Sequence, residues 1–154
     1  MADGAVTPET VLAQYNAYMA DLGNVGSRYS TSQTFYMSVV SGLVAVVTFA
    51  KDSPFSEHSA LITAAVLFFL GLICLAWWKT LAFYHDHFAA KLAVLKQMEE
   101  RGTLFPIFHH EWDILQAKKA NQLIATERTV PLIVGIAAVI GGVAAVAVYY
   151  GVKF

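Results

Sequence analysis

Four histidines and one carboxylate form the only cluster with metal-ligand chemistry in this sequence: His85, His87, His109, His110 and Glu111. Imidazole nitrogens and carboxylate oxygens are common zinc and transition-metal ligands, and these would meet if the two segments paired as neighbouring helices. Helical geometry argues against it. Residues i and i+2 point about 200° apart on a helix, so His85 and His87 cannot hold one ion from a regular helix. His109-His110 falls at a turn, where polar residues are expected anyway. The five positions read as solvated or interfacial, and neither a metal nor another cofactor is expected.

Other chemistry-bearing residues point to assembly. Glu111-Trp112 facing Tyr84 or Lys91, with Glu99 nearby, would clasp a helical hairpin or a subunit contact through a carboxylate paired with Lys or Tyr. Ligand binding or gating is the alternative for the same residues. Lys96 and Glu100, four apart, form an ordinary solvated helix pair. Arg28 and Lys79 flank apolar segments and are candidates for an anionic ligand or for lipid phosphates, with Glu127 a further partner for Arg28. The sequence holds no phosphate loop, nucleophile elbow, HExxH or paired catalytic carboxylates, so no enzyme is expected. A metal-dependent membrane enzyme would rest on the histidines alone.

The elements that must position these residues are apolar helices. Residues 35–50, 59–78 and 130–152 are hydrophobic stretches, the second and third long enough to cross a bilayer. Of the 154 residues, 57% are hydrophobic and 14% charged, against about 25% charged in an ordinary soluble domain. The net charge of -1 lacks the clustered basic character of a nucleic-acid binder. The single cysteine, Cys74, lies within the second stretch, which excludes a disulfide framework and reads as apolar packing. No basic n-region precedes the first stretch, so a cleaved signal peptide is not expected.

Thr7-Pro8-Glu9 reads as an N-cap, a proline at the first helical position and an acid in the first turn. Val11, Tyr15, Tyr18 and Leu22 then form an amphipathic stripe over 8–22 that runs out at Gly23-Asn24-Val25-Gly26. Spans are expected at 34–50, 59–78 and 130–150. Lys79, Lys91, Lys96, Arg101, Lys118, Lys119 and Arg128 all fall between the second and third spans, which places 79–128 in the cytosol with the N-terminus, and the C-terminus outside. No Pro or Gly interrupts 76–101, so the second helix should continue past Trp77-Trp78-Lys79. It would turn near Pro106 and return from His110 to Arg128 as a helical hairpin. The expected fold is all-α, a single membrane domain over 1–154 with three transmembrane helices.

One hairpin leaves much apolar surface open, and self-association is the simple remedy. Ala137, Gly141 and Ala145 share a face of the third span, as do Ala138 and Gly142, while Ser38 with Gly42 and Ser41 with Ala45 repeat the spacing in the first span. A conducting pore would be lined by Ser38, Ser41, Thr48 or Thr63, or gated by apolar residues that dewet.

The segment 78–112 carries a further pattern: a tryptophan ending a span, Tyr84, Ala90-Lys91, Met98-Glu99, the turn Pro106-Ile107-Phe108, and Glu111-Trp112. Upstream stand Tyr15, Tyr18, Ser27-Arg28, Thr34-Phe35-Tyr36 and Ser38. This resembles the RipA family of octameric bacterial membrane proteins, similar in turn to SLATT-type small membrane effectors. The resemblance covers most of the chain up to about Trp112. It departs at Tyr84-His85-Asp86-His87-Phe88, where the family tends to carry Tyr-Arg-x-Leu-Asn, and at Arg28-Tyr29 and Gln33, where it tends to carry Arg-Arg and Asn. It implies an octameric inner-membrane assembly with helical hairpins in the cytosol. It also suggests an effector of nucleotide-signalled antiviral defence, acting by pore formation or membrane disruption with a cyclic nucleotide or protein partner. The expected function is thus a homo-oligomeric channel or membrane-perturbing effector in contact with the bilayer. A non-conducting scaffold that organises lipid or recruits a protein is the alternative.

Overall fold

The computed structural model describes residues 7–50, 59–100, 110 and 121–151, and all of its regular structure is helical. Three helices carry the chain: α1 Pro8–Ala50, α2 Ser59–Glu100 and α3 Asn121–Tyr149. Each contains a window long and apolar enough to cross a membrane. The Pro106 turn, His109, Glu111, Trp112 and residues 111–120 of the expected returning helix lie outside the described residues.

The start of α1 follows its cap. The Thr7 hydroxyl oxygen accepts from the Thr10 amide at 3.3 Å, and the Thr7 carbonyl accepts from the Val11 amide at 3.1 Å. α1 then departs from the sequence reading. The stripe over 8–22 and the span from 34 belong to one unbroken helix, which passes through Gly23 and Gly26. A mid-helix glycine costs only about 1 kcal/mol against alanine. With no proline between them, and Val25 buried at this level, packing outweighs that penalty.

α2 contains no helix-breaking residue between Ala76 and Glu100 and runs through Lys79 without a break. In α3, Pro131 stands inside the helix rather than at its start. A proline there removes one backbone hydrogen bond at a cost of about 3 kcal/mol, yet Pro131 is among the most completely buried side chains. Its packing offsets the loss. At the far end Gly151 adopts φ +76° and its amide bonds the Val148 carbonyl at 3.0 Å, a left-handed glycine stop.

Contacts divide the chain into two units, Met1–Ser30 with Phe83–Ile124 and Thr31–Ala82 with Ala125–Phe154. In the second unit Leu70, Cys74 and Ala138 form a small core, with Val40, Leu43, Leu67 and Val134 against it. Glycines let α2 and α3 approach: a Cβ on Gly135 would lie 3.0 Å from Cys74 Cβ, and one on Gly71 would lie 3.0 Å from Val139 Cγ2. In the first unit Leu95 is fully buried, with Lys91 and Glu99 beside it in sequence and also buried.

Candidate functional site

Lys91 anchors the first unit. Position 91 falls on the buried stripe of α2 with Leu95, so its ammonium needs a counter-charge within reach. α1 supplies one: the Lys91 ammonium donates to the Asp21 carboxylate. It also stands over the Tyr18 ring, 4.8 Å from the centroid. Tyr18 and Asp21 are three residues apart and share a helix face. The Lys91 side chain is 10% exposed and that of Asp21 58%, so the acid faces solvent while the base does not.

The electrostatics follow from this pairing. The hydrogen bond from Lys91, then its charge, holds the Asp21 carboxyl below its ordinary range, with smaller contributions from His87 and Arg28. Burial, and after it the charge of Glu99, pushes the Tyr15 phenol above its ordinary value. Aromatic rings continue the layer, Tyr29 meeting Tyr84 and Phe88 edge to face at 5.5 and 6.2 Å.

A second polar layer ties α1 to α2 in the other unit. The buried Trp77 donates from Nε1 to Gln33 Oε1 at 2.8 Å, and its ring stacks on Tyr36 at 5.9 Å between centroids. The Thr80 hydroxyl gives its proton to the Ala76 carbonyl at 2.9 Å, so Tyr36 must be the donor in the 3.0 Å Tyr36–Thr80 bond. Among the described residues no buried side-chain polar atom lacks a partner. Both layers hold α1 against α2.

The residues singled out from sequence are distributed over both units. Tyr84, Lys91 and Glu99 all lie in the first unit, but the expected Glu111 and Trp112 partners lie outside the described residues. Arg28 and Lys79 are exposed. His85 Nδ1 is 3.5 Å from Asp86 Oδ1, and the His87 ring stacks on Phe83 at 5.7 Å. No group of three metal-ligating residues occurs among the described residues. On α3 it is Ala138 and Gly142 that are buried against α2, while Ala137 is exposed, Gly141 approaches Leu67 and Ala145 is half-buried. Gly42 has nothing within 4 Å of a would-be Cβ.

Asp21, Gln33 and Gly135 were not anticipated. Asp21 left a signal, being the only charged residue between Glu9 and Arg28 and three after Tyr18. Gln33 and Gly135 left none, because their partners lie tens of residues away.

The pore-lining candidates on α1 fall on one open face. Thr34, Ser38, Ser41, Ala45 and Thr48 are spaced three and four apart and all are exposed. None of the residues in the apolar window of α1 is buried, against 17% in those of α2 and α3. The Ser38 and Thr48 hydroxyls donate to the Thr34 and Val44 carbonyls at 2.8 and 2.9 Å. Such bonds satisfy the donor and leave an oxygen outward.

Three apolar helices, with two polar layers joining α1 to α2, define a multi-pass helical membrane protein. The chain belongs to the octameric membrane protein family (8xMP), whose model matches residues 12–147. No curated protein and no solved structure matches it.

Proposed function

We propose that eight copies form a ring in the bacterial inner membrane, acting as a channel or membrane-perturbing effector with α1 toward the axis. The observation that carries this reading is the hydroxyl stripe at 34, 38, 41 and 48, a polar face at bilayer depth that the chain itself does not cover. Thr63, half-buried on α2, is a poorer lining residue. The excess of Lys and Arg in 79–128 supports a cytosolic location for that segment and for the N-terminus. The resemblance to RipA and SLATT-type proteins supports a role in antiviral defence switched by a cyclic nucleotide or protein partner at the cytosolic layer of Tyr84, Lys91 and Glu99. We read the protein as a non-enzyme without a cofactor.

One observation favours a scaffold instead. Ser38 and Thr48 already bond their own helix, which suits a dry helix–helix contact as well as a wet axis. Ion flux from liposomes separates the two. A channel leaks, and Ser38→Leu with Ser41→Leu stops the leak without changing oligomer size. Tight liposomes under every nucleotide tried, or a leak indifferent to both leucines, would leave the scaffold.

A further inference from the structure

A cavity of about 500 Å³ runs along the α2–α3 pair, lined by Phe68, Leu72, Leu75, Trp78, Ile136, Val139 and their neighbours. From Phe68 to Trp78 it extends about 15 Å at 1.5 Å per residue, and from Pro131 to Ile140 nearly the same. That is half of a hydrocarbon core of about 30 Å, the depth of one leaflet. Its ends differ. Phe68 and Ile140 line one end with apolar side chains, whereas Trp78 at the other end stands beside a cation. The Arg128 guanidinium lies over the Trp78 ring, 5.4 Å from the centroid.

We propose that this groove binds an anionic phospholipid, one acyl chain lying along α2 and α3 and the phosphate held by Arg128. The match to a single leaflet favours a lipid over a neighbouring helix, which would run on past Phe68. The cation–π contact with Trp78 holds the guanidinium at this end of the groove, where its donors suit a phosphate. Glu127, next in sequence to Arg128, points about 100° around the helix from it. Gly71 and Gly135 form the floor, where α2 and α3 touch. The inference rests on the membrane-spanning reading of α2 and α3 and not on whether the assembly conducts.

Native mass spectrometry of the intact oligomer, taken from bilayers of equal phosphatidylglycerol and phosphatidylethanolamine, tests it. The expected result is retained phosphatidylglycerol in excess. Arg128→Gln should cut the preference about fivefold, the worth of one basic contact at a lipid surface, while Arg128→Lys keeps most of it. Ile136→Trp, filling the groove, should lose bound lipid with oligomer size unchanged. Equal retention of the two lipids, a preference untouched by Arg128→Gln, or an Ile136→Trp variant that keeps its lipid but loses subunits would overturn the proposal, the last pointing to a neighbouring copy in the groove.

Discussion

Lys91 depends on a partner that the exposed side of its unit provides. Removing Asp21 leaves an ammonium buried against Tyr18 with less counter-charge, whereas Lys91→Met removes the charge and keeps much of the stem. Asp21→Ala should therefore lower the thermal midpoint in detergent more than Lys91→Met, and combining the two should recover part of the loss. The reverse order would mean that the pair contributes through Lys91 packing alone. Because the Asp21 carboxyl is held below its ordinary range, its contribution is complete above the free aspartate range and disappears as pH falls through the lowered one. Melting curves of wild type and Asp21→Asn should converge in acid and separate toward neutral pH. Lys91 stands out in the sequence as a charge on an apolar helical stripe, but its pairing with Asp21 does not, because spacing along one helix carries no information about an acid seventy residues upstream.

At the level of the helices, long apolar runs were readable and interruptions were not. Gly23, Gly26 and Pro131 are reasonable local stop signals, and each is passed by its helix, with Val25 beside Gly26 and Pro131 itself buried. Local penalties of about 1 to 3 kcal/mol are within what packing can offset. The same logic predicts which glycines matter. Gly135→Val should weaken the α2–α3 pair, since even the first carbon meets Cys74 at 3.0 Å. Gly42→Val, with open space around it, should leave protomer stability unchanged. Denaturant titration reads both, and a destabilised Gly42 variant with intact Gly135 would contradict this packing. Trp77→Phe keeps the ring on Tyr36 but removes the bond to Gln33, with an expected loss of about 1 kcal/mol for an interhelical bond at this depth.

At the level of the whole molecule, self-association was legible because amphipathic surface exceeded what one chain can cover. Its geometry was not, since Ala137 and Ala138 faces look alike in sequence and only contact with α2 distinguishes them. Mass photometry or native mass spectrometry should give eight copies, and Gly42→Leu should shift that number if α1 faces a neighbour closely. An unaltered octamer would move the contact to the exposed face of α3 outside the groove, where Ile133, Ala137 and Val148 stand. The arrangement around Cys74 has a practical corollary. The sole thiol is 1% exposed and lies beneath Gly135, so the native protein is silent to aqueous alkylating agents and cannot link copies by oxidation. Labelling of unmodified protein thus becomes an internal gauge of damage: any that appears marks α2 and α3 coming apart, before anything is asked of an introduced probe.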